Sequence, residues 1–189
     1  MNRLLSYLHS LKPIPEQDIP LIAVYFEMKA FKENDYLFRG GKTCDELFFV
    51  CSGVVRIIST NEKGVGVIHY FYQENHFCTI MQSFDQGTPT DTHIQACCPV
   101  EALVLTKNRL HDLYGQFPYM KPLIHEIFRR QLLEKVNTRN VYLGQDAETQ
   151  YKLFMEQQPD IALRVPVKDI ASFLGITPQS LSRIRKKTR

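Results

Sequence analysis

The stretch Val165-Pro-Val-Lys-Asp-Ile-Ala-Ser-Phe-Leu-Gly-Ile-Thr-Pro-Gln-Ser-Leu-Ser-Arg-Ile-Arg-Lys-Lys187 carries the strongest structural signal in the chain. It reads as two short helices, about 167–174 and 178–187, joined by a sharp turn. Helices that cross closely need a small residue where they touch, and Ala171 supplies it. Gly175, four positions on, suits a turn that requires positive φ. Ile176 plugs the turn, Thr177 suits the N-cap and Pro178 the first helical position. Leu181 and Ile184 then return to the same core as Ile170 and Leu174. The remaining face carries Gln179, Ser180, Ser182, Arg183, Lys186 and Lys187, side chains that read base edges or hold phosphates. From Ile176 onward the basic residues are Arg183, Arg185, Lys186, Lys187 and Arg189, with no acidic residue among them. A solvated αα-hairpin is the plain alternative, but spacing, caps and charge together predict a helix-turn-helix that binds double-stranded DNA. Its second helix would enter the major groove by its N-terminal half. Gln179 and Arg183 are the expected base contacts, and Ser180, Lys186 and Lys187 the expected phosphate contacts. Thr177 and Ser182 complete the predicted contact set.

Working back from this motif, residues 146–157 read as another helix. Between 119 and 143, Met120, Leu123, Ile124, Ile127, Phe128, Leu132, Leu133 and Val136 recur at three- and four-residue steps. This is one long amphipathic helix whose stripe must be buried. Half of it is expected against its own domain and half against a second copy, giving a homodimer; purely intramolecular packing is the alternative. From about 27 to 105 short apolar runs alternate with Gly, Asn and Asp turns, as in an antiparallel sandwich or barrel. The expected strands are one ending at Phe31, then Tyr36–Phe38, Glu46–Cys51, Val54–Ser59, Val65–Tyr72, Thr92–Cys97 and Val100–Leu105. Thr106 caps a helix running to Tyr114. At the N-terminus, Leu4, Leu5, Leu8 and Leu11 mark a helix broken by Pro13 and Pro15, before a second around Asp18–Phe26.

The composition, 44% hydrophobic and 23% charged over 189 residues, is that of a globular protein. No run of roughly 18 apolar residues is present, so no membrane span is expected, and no secretory signal is visible at the N-terminus. Five scattered cysteines, an odd number, fit a reducing cytoplasm better than a disulfide framework.

Three segments carry a family resemblance: Asp35-Tyr-Leu-Phe-Arg-Gly-Gly41, Glu46-Leu-Phe-Phe-Val-Cys-Ser-Gly-Val-Val-Arg56, and Ile170 to Arg185 of the C-terminal motif. With the order β-roll, long helix, helix-turn-helix, the chain resembles the Crp/Fnr family of bacterial transcription regulators, and its short tail looks like that of Bacteroidetes members. The fold so implied is α+β. It comprises a cyclic-nucleotide-binding-like jelly roll over 1–118, a dimerisation helix over 119–144 and a truncated winged helix-turn-helix over 145–189, without the wing hairpin. The implied function is a cytoplasmic, dimeric regulator on a palindromic operator. Its partners would be double-stranded DNA, a second copy, RNA polymerase and an unidentified small-molecule effector. No cofactor is expected.

The effector pocket departs from the family pattern. Cyclic-nucleotide binders resemble one another in a Gly-Glu pair that meets the ribose and an Arg that meets the cyclic phosphate. Here Asn75 and His76 stand where Gly and Glu are expected, within a matching stretch that continues through Phe77, Cys78 and Thr79. The Arg position falls at Asp91, beside Thr92, and a carboxylate repels a phosphate. Cyclic AMP is therefore not the expected effector.

No other constellation competes. The cysteines show no CxxC spacing for an iron–sulfur cluster. Adjacent Cys97 and Cys98 read as one core and one exposed thiol, with a redox role for Cys78 or Cys98 left open. The six histidines form no HxH or HExxH pattern, and only His76 and His93 are placed to meet across the roll. With no phosphate loop and no nucleophile elbow, an enzyme is not expected. The main alternative is a regulatory module that binds a small molecule or partner without an operator.

Overall fold

The computed structural model describes residues 1–187; Thr188 and Arg189, the last of the basic residues named above, lie outside the described residues. Ten strands form the roll: β1 (Glu27–Phe31), β2 (Tyr36–Phe38), β3 (Lys42–Thr43), β4 (Glu46–Ser52), β5 (Val55–Thr60), β6 (Gly66–Tyr72), β7 (Phe77–Cys78), β8 (Pro89–Thr90), β9 (His93–Ala96) and β10 (Val100–Thr106). They pair antiparallel in two four-stranded sheets, ordered β1-β10-β4-β7 and β2-β9-β5-β6, with a small β3-β8 ladder.

The period-two alternation of side chains decides which residue faces which layer. In β4, Phe48 and Val50 join Val55, Ile57, Ile94 and Val104 between the sheets. Leu47 and Phe49, pointing the other way, join Leu103 and Leu105 under the helices. Both faces of β4 are covered, so it reads as a continuous apolar run instead of an alternating one. After β4 the chain turns at Gly53, with φ +92°. A Cβ there would stand 2.4 Å from the Pro99 carbonyl oxygen, while the Gly53 N–H donates to Glu74 Oε1 at 2.8 Å. Only glycine fits this turn.

Helices α1 (Asn2–Leu11), α2 (Ile19–Ala23), α3 (Met81–Gln86) and α4 (Lys107–Gln116) surround the roll. Thr106 caps α4, its hydroxyl accepting from Arg109 N at 3.4 Å. The second helix is shorter than the sequence suggests, because a 3-10 turn over Glu16–Asp18 precedes it and the chain is extended again from Glu27.

The long helix, α5 (Met120–Tyr142), runs for 23 residues, about 34 Å at 1.5 Å per residue. Its stripe divides in two. Met120, Leu123, Ile124 and Ile127 are buried with Leu4, Leu8, Phe49 and Phe77. Further along, Leu132, Leu133 and Val136 are 61%, 49% and 45% exposed. Gln131, buried between them, pairs through its amide with both backbone groups of Phe77, covering the outer edge of β7.

Helices α6 (Ala147–Gln157), α7 (Pro159–Arg164), α8 (Val167–Phe173) and α9 (Pro178–Lys187) complete the described chain. They do not stand apart from the roll. Phe154, Ile161, Ile170, Ala171 and Leu181 share one apolar cluster with Val54, Ile68, Phe71 and Cys97. The Ser172 hydroxyl accepts from Ile68 N at 3.1 Å and donates to Gly66 O at 3.3 Å, so α8 caps the open edge of β6. Arg56 on β5 forms a buried ion pair with Asp169 on α8. Arg164 on α7 grips Glu74 with both guanidinium nitrogens, at 2.6 and 3.0 Å. Three polar ties and a common core thus join the roll to the segment after residue 145.

Candidate nucleic-acid interface and effector cavity

The helix-turn-helix is built as its residues require. Ala171, fully buried, lies in the shared apolar cluster with Leu181 of α9, and its carbonyl accepts from Ile176 N at 3.0 Å. Gly175 takes φ +69°, the left-handed conformation that closes the turn. Thr177 Oγ1 accepts from Ser180 N at 3.1 Å, which makes it the N-cap of α9. Leu181 is buried, with Ile184 packed beside it. Every residue of the predicted contact set is exposed: Thr177, Gln179, Ser180, Ser182, Arg183, Lys186 and Lys187. The Ser180 hydroxyl also meets Thr177 Oγ1 at 2.9 Å, so part of its hydrogen-bonding capacity serves the cap. The described face of α9 carries no carboxylate and presents cations, amide and hydroxyls, a surface that can meet a polyanion and the edges of bases.

A cavity of about 470 Å³ lies between the roll and α5. Phe77, Thr79 and Thr92, three of the seven predicted pocket residues, line it. The other four do not line it. Asn75 sits in a turn at φ +65°, its backbone N–H bonded to Val50 O. Cys78 is fully buried behind the wall, where burial raises its thiol pKa well above the usual range. Asp91 is exposed in the turn before β9. His76 faces another hollow and binds Glu134 of α5 at 3.4 Å, with its second ring nitrogen near Glu74 O at 3.0 Å. Burial is the largest influence and opposes the His76 charge, but the Glu134 carboxylate and the backbone acceptors of Glu74 and Gln73 together outweigh it, and the imidazole pKa ends above its ordinary value. His93 is engaged elsewhere, accepting from Gly40 N at 2.8 Å, so the two histidines have separate partners. Among the described residues no group of three or more His, Cys, Asp or Glu side chains is gathered as a metal site. Cys97 is buried and Cys98 half-buried, its sulfur accepting from Val54 N at 3.3 Å.

Several residues that decide this geometry were not singled out from sequence. Arg56 had a visible signal, being a charged side chain inside the apolar run Val54–Ile58, where a charge needs a buried partner. Asp169, Arg164 and Ser172 had none, since each looks like an ordinary polar residue of a short helix. Tyr72 and Lys135, which line the cavity, likewise read as a strand aromatic and a surface lysine.

Residues 28–117 match the family model of the cyclic nucleotide-binding domain. No curated protein sequence matches the chain significantly. Among solved structures it is similar to FixK2 from Bradyrhizobium japonicum, with TM-score 0.72 and 14% identity over 86% of this chain and 83% of that one. It is similar also to CLP, the c-di-GMP-responsive global regulator of Xanthomonas campestris, with TM-score 0.72 and 16% identity over 92% and 91% of the two chains. A third, from Eubacterium rectale and assigned to the Crp/Fnr family of transcriptional regulators, gives TM-score 0.72 and 14% identity over 96% and 87%. Residues 28–117 thus match the cyclic nucleotide-binding domain, and the fold of the chain as a whole is similar to those of these three solved structures.

Proposed function

We propose that the protein is a transcription regulator that binds a palindromic operator as a homodimer, under control of an effector other than cyclic AMP. The observation that carries the reading is α9, a capped helix exposing Gln179, Arg183, Lys186 and Lys187 on one acid-free face while Leu181 anchors it. The exposed Leu132, Leu133 and Val136 of α5 support the dimer, since a continuous apolar stripe in water favours a partner of the same shape. The cavity beside α5 supports an effector, and Asn75, His76 and Asp91 argue against a cyclic nucleotide, because none of them offers the ribose or phosphate contact that ligand needs. The test is selection of bound sequences from a random DNA pool at about 150 mM salt, where specific and non-specific binding separate. The expected result is a palindrome with half-sites about one helical turn apart. Arg183→Ala should relax selection at one or two base pairs, whereas Lys186→Ala should weaken all sequences alike. Absence of any enriched sequence, with and without cell extract, overturns the reading.

A further inference from the structure

The cavity between the roll and α5 has a chemistry of its own. Its walls are apolar on both sides: Ile57, Phe77 and Ile80 from the roll, Phe128 and Leu132 from the helix. Three of the polar side chains that border it are already occupied. Thr79 donates to Glu46 O at 2.9 Å, Gln131 is paired with the Phe77 backbone, and Arg129 is held by Glu126 at 2.7 and 2.8 Å. Three groups differ. The Tyr72 and Thr92 hydroxyls have no hydrogen-bond partner, and Lys135 no carboxylate partner, among the described residues. The lysine ammonium rests only over the Tyr70 ring, 5.4 Å from its centroid. Among the described residues no fully enclosed side-chain polar atom lacks a partner, so none of these groups is sealed inside the protein and all remain open to a ligand. Burial depresses the Lys135 pKa and raises that of Tyr72, and both side chains line the cavity.

We propose that this cavity binds an apolar monocarboxylate, its hydrocarbon body against Phe77, Phe128 and Ile80 and its carboxylate on Lys135 and Tyr72. The Lys135 ammonium is donor-only and the open hydroxyls can donate beside it, so their natural complement is an anionic acceptor in a half-buried setting, where charge-assisted bonds are strong. The walls offer one ligand-sized apolar volume, within the range of small-molecule sites. A cyclic nucleotide meets only the first condition: its phosphate is anionic, but the apolar walls leave its ribose hydroxyls and polar base edges without partners. The assignment rests on the effector-controlled reading above. Leu132 links the two, for it lines the cavity and stands in the exposed stripe of α5, so a ligand there touches the surface offered to a second copy.

The test is calorimetric titration of the full chain with 1-naphthaleneacetate, decanoate and 4-phenylbutyrate, each against its neutral amide. At least one carboxylate is expected to bind about tenfold or more tighter than its amide, a difference of about 1.4 kcal/mol. Lys135→Met should erase that preference while sparing amide binding, and Tyr72→Phe should reduce carboxylate affinity severalfold. If Lys135→Met does not fold, Lys135→Gln and the wild-type carboxylate-to-amide ratio carry the same decision. Equal affinity for acid and amide, a preference untouched at Lys135, or no carboxylate bound more tightly than about 1 mM overturns the proposal. Binding is read without DNA. A chain that binds carboxylates but selects no operator refutes the regulatory reading alone, and one that selects an operator but ignores carboxylates refutes this one.

Discussion

Replacing Asp169 by alanine removes one half of the ion pair that ties α8 to the roll. Both residues are 6% exposed, so no water can replace the lost carboxylate without opening the interface. Arg56 cannot simply swing away. Its guanidinium also donates to Gln95 Oε1 at 3.1 and 2.8 Å and to Asn34 Oδ1 at 3.0 Å, which hold the cation in place after its partner is gone. An uncompensated buried charge of this kind costs about 3–5 kcal/mol, a large part of the roughly 5–15 kcal/mol that stabilises a folded domain. At about 2–4 °C per kcal/mol for a chain of this size, the melting temperature should fall by roughly 6–20 °C. Asp169→Asn keeps a hydrogen-bond acceptor and should lose less, about 1.5–3 kcal/mol. The double variant Arg56→Met, Asp169→Leu removes both charges and should be less damaged than Asp169→Ala, its residual loss coming from the Gln95 oxygen left without a donor. Urea and thermal unfolding at fixed protein concentration measure all three, and limited proteolysis around the exposed Leu143 reports whether the C-terminal helices undock first. A loss below about 1 kcal/mol for Asp169→Ala, with Arg56 still enclosed, would refute the view that this pair locks the two units together.

Three further outcomes are expected. Gly53→Ala forces φ +92° on a residue with a Cβ and drives that atom into the Pro99 carbonyl, so a loss of about 3 kcal/mol or more is expected by urea unfolding; a near-native midpoint would mean the turn can shift. His76 has a raised pKa and Glu134 a lowered one, each through the other after burial is offset. A raised imidazole stabilises below its unfolded value near 6.5 and loses that contribution as pH climbs through the folded value, while the carboxylate's contribution fades as pH falls below about 4. Stability conferred by the pair should therefore be greatest between about pH 5 and 6.5, and His76→Gln should flatten the decline from pH 6 to 8.5 in a melting-temperature profile. Placing aspartate at both Leu132 and Val136 puts two charges on the exposed stripe of α5. Sedimentation equilibrium should then show a monomer, and an unchanged dimer mass would move the contact to another surface.

How legible the molecule was differs from element to element. The C-terminal motif could be read residue by residue because each of its constraints is local. A small residue at a crossing, a glycine at positive φ, a threonine that caps its own third successor and a proline at N1 act within a few positions of chain. The longer strands of the roll were readable for the same reason, since alternation and turn residues are local signals, whereas the two-residue strands β3, β7 and β8 are too short to show any alternation and were not read. The long helix announced its stripe, but not that Ile127 would mark the end of the buried half and Leu132 the start of the exposed one. That boundary depends on where the roll ends beneath it.

The candidate cavity shows the limit most clearly. The sequence placed a site at Asn75, His76, Phe77, Cys78, Thr79, Asp91 and Thr92, and Phe77, Thr79 and Thr92 do line the cavity, whereas Asn75 sits in a turn, His76 faces another hollow, Cys78 is fully buried and Asp91 is exposed. Tyr72 and Lys135, which also open onto it, lie far apart in sequence on a strand and a helix with no shared local pattern. The docking of α8 is of the same kind: Arg56 and Asp169 are separated by 113 positions. Sequence alone determined the segments, their caps, their apolar faces and the exposed basic helix, because short-range sterics and hydrogen bonding specify these. Only the tertiary structure decided which faces meet, because burial and electrostatic pairing depend on distance in space, and neither is encoded in the spacing of residues along the chain.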